Sequence, residues 1–260
     1  MNRFLKYSLG SIALLAVLAI GYGLKSNWIL FQPDKVFQHS LRYNEFLVYS
    51  DEPLLEKRIS PILDDVSWRL ESTLDYEKGQ YNIYLCNRPE TFEKFTEKVG
   101  RPQQIQGFNL QPLNYVFINL TFVQDMKSRN SVGYQYHILE GNPAHVISHE
   151  ICHQLIADKI GYFKMRTTST WKLEGFCEYS ASKRKRESDS SFQFSAFAAD
   201  FFDGKYNGIP AGRKFYLESL LVTAYYLDIK NRSFDDLMND NLNKAELLEE
   251  IRQISTAKSL

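Results

Sequence analysis

Between residues 45 and 123 the apolar positions fall into short runs separated by longer periodic stretches. Glu45 to Ser50 is an apolar and aromatic run that stops at Asp51-Glu52-Pro53, the pattern of a strand ending in a turn. Leu55, Ile59, Ile62, Leu63, Val66, Leu70 and Leu74 then recur at steps of three and four, which predicts a helix that Ser60-Pro61 either kinks or caps anew. Tyr81 to Cys86 predicts a second strand, Pro89 to Val99 a second helix with Phe92, Phe95 and Val99 on one face, and Tyr115 to Val123 a third strand. The order strand, helix, strand, helix, strand implies a small mixed sheet backed by helices.

From Asn142 onward every periodic stretch is helical. Asn142 suits an N-cap, Pro143 the first helical position, and Gly161 the C-terminal cap, while Ile147, Ile151, Leu155 and Ile156 form an apolar stripe between them. Trp171 to Tyr179 is a second helical stretch, introduced by the hydroxyl-rich Thr167 to Thr170. Phe215 to Leu227 is a third, placed to cover a site from below. The fold class expected is α+β: an α/β part over 41–141, a helical part over 142–260, and a cleft between them as the natural site. Met126 to Gly141, with Tyr134, Tyr136 and His137, is expected to loop over that cleft, and Lys183 to Arg186 to end a helix as a solvated basic run.

Residues 1–26 have a different character. Arg3 and Lys6 precede an uncharged run of 18 residues from Tyr7 to Leu24, at the short end of the roughly 17–25 that cross a bilayer as a helix. The expectation is one transmembrane helix over 7–24 with its basic flank and N-terminus in the cytosol, a linker over 27–40, and the catalytic part on the extracytoplasmic side. A cleaved signal peptide, giving a secreted protein, is the rival, although Ile20 to Leu24 lacks the usual small-residue cleavage pattern; a buried core helix is the third alternative.

Composition narrows the function. With 44% hydrophobic residues, 24% charged and a formal net charge of zero, the chain is that of an ordinary globular protein. It has no signature of disorder and no basic excess for nucleic acid. Its three cysteines, Cys86, Cys152 and Cys177, are too few for a disulfide scaffold or a cysteine-rich zinc module. A bound metal must therefore use other ligands. Nothing indicates an oligomeric state.

The chemistry centres on His149-Glu150-Ile151-Cys152-His153, an H-E-x-x-H pattern. On a helix the two histidines lie one turn apart on one face, close enough to reach one metal at about 2.0–2.1 Å. Glu150, rotated by about 100°, points beside that metal, where it can take a proton from the attacking water. A third ligand has to decide the case. His145, one turn before His149, is eight positions from His153, about 12 Å along the axis, too far to close on the same ion. It is left as a supporting, cleft-lining or surface residue. Glu174 on the next helical stretch completes a His-His-Glu set with an open fourth position, as one catalytic zinc ion requires. Cys152 and Cys177 are expected to serve tight packing of the two ligand helices, with a disulfide between them as the alternative outside the cytosol.

H-E-x-x-H followed by W-x-x-E-G-x-x-x-Y resembles the gluzincins of the thermolysin and aminopeptidase N type, peptidase clan MA, over Pro143 to Ala181. The resemblance implies a zincin-like fold with zinc on His149, His153 and Glu174 and with Glu150 as the catalytic carboxylate. It also implies that Glu178 orients a ligand histidine, that Tyr216, Arg213 or Tyr136 stabilises the oxyanion, and that Tyr115 to Val123 is the edge strand binding extended substrate. The Gly-x-Met-Glu-Asn sequence of aminopeptidase N relatives and the Asn-Ala edge pattern of thermolysin are absent, so the chain looks most like the small peptidase MA-like proteins. The activity expected is zinc-dependent hydrolysis of a peptide or protein substrate by water that zinc activates, with Glu150 as general base. The alternative is a catalytically inactive zincin-fold protein that binds or scaffolds at the membrane, against which the intact Glu150 speaks.

Overall fold

Two short strands, β1 (His39–Tyr43) and β2 (Phe46–Ser50), form an antiparallel hairpin whose turn places Asn44 at φ 49°, a left-handed conformation that Asn tolerates. The computed structural model describes residues 28–71, 73–74, 76, 79–123, 142–182 and 194–257. Helix α1 (Glu56–Leu70), with Pro61 inside it, carries the chain to β3 (Tyr81–Cys86), which pairs in parallel with β2. Parallel neighbours need such a crossover. Helix α2 (Pro89–Val99) leads on to β4 (Gly107–Leu110) and β5 (Tyr115–Asn119). The five strands lie in the order β1-β2-β3-β5-β4, with β5 parallel to β3 and β4 antiparallel to β5 at the edge.

Alternation along these strands builds two cores. Phe46, Val48, Ile83, Leu85, Val116 and Ile118 meet Leu63, Val66 and Leu70 of α1 on one face. Tyr84, Phe108 and Phe117 meet Phe92 and Phe95 of α2 on the other, where Phe95 and Phe117 lie 4.5 Å apart.

The rest is helical: α3 (Pro143–Ile160), α4 (Tyr162–Thr167), α5 (Thr170–Ala181), α6 (Phe194–Phe202), α7 (Ala211–Ala224), α8 (Phe234–Asn239) and α9 (Lys244–Ala257). The stretch expected over Phe215 to Leu227 is the body of α7 and the start of the π-helical turn Tyr225–Ile229 that extends it. Helix α3 belongs to both halves. Its Ile147 and Ile151 pack into the sheet core, while Cys152 and Ile156 pack with Phe176, Leu220 and Leu221 into the helical core. A helix enclosed on both sides is where polar side chains cost most, and that is where the H-E-x-x-H pattern lies.

Several expectations need correction. The strand starting at Tyr115 stops at Asn119 because the Asn119 side chain accepts from Phe122 N at 3.2 Å and so caps a helical turn in place of further pairing. It is also interior; the edge belongs to β4. The membrane-spanning part of the expected fold is corrected, and with it the single-pass placement. Among the described residues no helix is long and apolar enough to cross a membrane. The 18-residue α3 has the length but carries His145, His149, Glu150, His153, Asp158 and Lys159. The fold is a mixed α+β arrangement around a five-stranded sheet. The run over 7–24, the loop expected over 126–141 and the basic run Lys183 to Arg186 lie outside the described residues.

Candidate metal centre

Helix α3 begins as its sequence demands. The Asn142 side chain accepts from Ala144 N at 2.9 Å, Pro143 occupies the first turn, and Gly161 N donates to Ala157 O where the helix ends. His149 and His153 stand on one face with ring centroids 5.0 Å apart. Helix α5 brings Glu174 opposite them. Its depth is set by Gly175: a Cβ there would lie 2.4 Å from Thr223 Oγ1 and 2.5 Å from Ser219 O, so only glycine lets α5 rest directly on α7.

Glu174 Oε2 is 3.1 Å from His149 Nε2 and 3.4 Å from His153 Nε2. Donor atoms bound tetrahedrally at about 2.0–2.1 Å stand about 3.3–3.4 Å from one another. Each of these two spacings fits a shared cation as well as it fits a hydrogen bond. Burial alone would raise the Glu174 carboxyl, but His153 and His149 outweigh it and hold the group well below the ordinary carboxylate range. Burial likewise works against protons on the two imidazoles; the carboxylates of Glu174 and Glu178 beside His149, and the charge of Glu174 at His153, more than offset it and raise both. A cation between them would take the place of those protons.

A chain of contacts extends behind His149. Its Nδ1 lies 3.0 Å from Glu178 Oε1, close in distance but bent away from good hydrogen-bond alignment, and Glu178 Oε2 is 3.1 Å from His145 Nε2. Burial opposes ionisation of Glu178, yet His145 and His149 bring its carboxyl down to about 2. The pairing 149 with 174 and 145 with 178 shows that α3 and α5 run antiparallel, one turn matched to one turn. His145 thus supports the carboxylate that supports a histidine of the site. The signal was in the sequence as two residues each one turn from a ligand, on helices that converge.

His149, His153 and Cys177 form a further group whose donor atoms all lie within 4.8 Å of one another and could hold a metal ion. Cys177, expected only to pack, sits on the core side among Cys152, Ile156 and Leu221, whereas Glu174 lines the cleft. Cys152 and Cys177 are free thiols, not a disulfide.

The cleft itself encloses about 770 Å³ and brings together Glu150, His153, Glu174, Tyr216 and Arg213 with Gly107 to Asn109 of β4. Burial pushes the Glu150 carboxyl up against the pull of His149 and His153. Tyr216 stands edge-on to His149 with ring centroids 6.0 Å apart, and burial raises its hydroxyl well above the usual value, keeping it a donor. Arg213 is one turn before it on α7. Tyr136 lies outside the described residues.

Compared with protein-family models the chain matches none, and it matches no curated protein.

Proposed function

We propose that this chain is a zinc-dependent hydrolase of peptide bonds, of the gluzincin type, acting through His149, His153, Glu174 and Glu150. The observation that carries the reading is the convergence of Glu174, from a separate helix, on both histidine Nε2 atoms at 3.1 and 3.4 Å, with the cleft open beside them. Two imidazoles and a carboxylate are the donor set of catalytic zinc sites, which keep a fourth position for water or substrate. Zinc fits better than magnesium or calcium because two of the three donors are nitrogen.

A bound zinc ion would polarise the substrate carbonyl and acidify water. The chain's own residues do the rest. Glu150, with its raised carboxyl, accepts the proton of the attacking water and passes it to the leaving amine. The Tyr216 hydroxyl, uncharged and donating, and Arg213 stand where negative charge on the carbonyl oxygen can be met. Glu178 holds the ring of His149, and His145 holds Glu178. The strand β4, which among the described residues has β5 as its one neighbour, lines the cleft as an edge to which an extended peptide can add.

Cys177 gives a second set of donors with the same histidines, but it faces the core and would close the site to substrate. The intact Glu150 has a use only in the open arrangement.

The test is hydrolysis of peptide libraries by the purified protein with zinc content measured in parallel. Wild type should cleave, lose activity to a chelator and regain it with zinc. Glu150→Gln should retain zinc and lose about 100- to 10,000-fold in rate. Cleavage by Glu150→Gln at the wild-type rate, or a wild type that retains no zinc, overturns the proposal.

A further inference from the structure

The charges lining the cleft divide by position. Among the described residues its carboxylates are Glu150, Glu174 and Glu178, all within the metal centre, and every other charged side chain on its walls is an arginine: Arg101, Arg166 and Arg213. Composition does not explain this, because the chain carries 31 basic and 31 acidic residues. The arginines also come from separate elements. Arg101 follows the C-cap Gly100 of α2, fixed by its backbone N–H on Thr96 O at 2.9 Å, and the chain from it runs to the edge strand β4. Arg166 stands on α4, where its guanidinium donates to Tyr162 Oη at 3.0 Å and lies 5.5 Å from the centre of that ring. Arg213 opens α7.

Arg101 and Arg166 are exposed and, among the described residues, neither has a carboxylate within ion-pair distance. Arg101 lines the same cleft as Glu150 and Tyr216. Arg101 and Arg166 therefore add positive charge to the described walls outside the metal centre, and a bound divalent ion would add more. A cleft walled by protein concentrates such a field and draws in anions.

We infer that the cleft selects substrates bearing a carboxylate near the scissile bond, bound by the guanidinium groups of Arg101 and Arg166. Guanidinium presents paired donors that match a carboxylate in geometry as well as charge. The inference rests on the hydrolase reading and adds its substrate class. The carboxylate has two possible sources, an Asp or Glu side chain or the free C-terminus of the peptide.

One set of fluorescent heptapeptides separates them: Glu, Gln or Lys at the positions flanking the cleaved bond, each made as free acid and as C-terminal amide. Wild type is expected to favour the carboxylate-bearing member by about 20-fold in kcat/KM, roughly 5-fold for each exposed arginine. The preference should fall as salt is raised. In Arg101→Gln and Arg166→Gln each the ratio of acidic to neutral cleavage drops about 5-fold, and in the double variant it approaches one. A preference carried by the Glu side chain marks internal acidic sites; one carried only by the free acid marks C-terminal trimming. Equal cleavage of Glu, Gln and Lys peptides, or a preference unmoved in the double variant, overturns the inference. Binding of the same peptides to zinc-loaded Glu150→Gln, read by fluorescence anisotropy, gives a measure independent of turnover. If wild type cleaves nothing, the hydrolase reading fails, while tighter binding of the acidic peptides, lost in the arginine variants, still upholds the anion site; equal binding overturns that too.

Discussion

Asp51, just after β2, and Glu174, on α5, are carboxylates largely withdrawn from water, and the carboxyl of each is held below its ordinary range against the opposing effect of burial. Their partners differ in kind. Asp51 accepts from Asn87 N at 2.8 Å, Asn87 Nδ2 at 3.0 Å and Arg88 N at 3.2 Å, with Arg88 Nε at 3.5 Å. Amide protons do not leave at any ordinary pH, so this knot ties β2 to the end of β3 and can do nothing else. Glu174 faces two imidazole nitrogens, whose protons a metal ion can replace. A lowered carboxyl marks a site only when its partners can exchange what they offer.

The sharpest way to break this contrast is to remove each carboxylate in turn. Glu174→Gln should cut zinc affinity by about 250- to 8,000-fold, taking an apparent 10–16 kcal/mol of zinc binding as shared roughly evenly among the three ligands. A competition titration with a chromophoric chelator measures it. Asp51→Ala should leave zinc affinity alone and cost about 3 kcal/mol of stability, since it strands two backbone N–H groups and the Asn87 amide. Chemical denaturation of the metal-free protein gives that figure. If Asp51→Ala loses zinc as fully as Glu174→Gln does, the two carboxylates are not different in kind.

A smaller effect tests how Glu174 is placed. Gly175→Ala forces a methyl group against Thr223 and the Ser219 carbonyl and should cost about 1–3 kcal/mol, read as a lowered denaturation midpoint. A midpoint that does not move means that α5 and α7 have slack between them. The smallest effect is expected two contacts from the metal. His145→Gln keeps a polar group beside Glu178 but loses the ring contact at 3.1 Å, and zinc affinity should fall about 10-fold, at the low end for outer partners. An unchanged affinity would make the contact between His145 and Glu178 structural in the same sense as the Asp51 knot.

Local signals in the sequence were legible where the chain decides its own conformation. Asn142, Pro143 and Gly161 bound α3 because capping is settled by a few neighbouring residues, and Phe92 and Phe95 mark the buried face of α2 because a helix repeats within one segment. Long-range pairing was not legible. β1, with the sequence His-Ser-Leu-Arg-Tyr, alternates between half-buried and exposed positions and shows no apolar face, and β4 is four residues beginning with glycine. Both are strands because a neighbour offers a ladder. Glu174 was legible from its place after a tryptophan and before a glycine. Cys177 as a possible donor was not, because nothing in linear spacing tells which side of α5 faces the cleft and which the core.

The close approach at Gly175 has a mechanical consequence. Ser219, against whose carbonyl that glycine rests, lies one turn beyond Tyr216 on the same helix, so the backbone carrying Glu174 meets the backbone carrying Tyr216 directly, beside the Thr223 hydroxyl. A push that reaches α7 is handed directly to the turn of α5 that carries Glu174. The two groups behave as teeth of one gear.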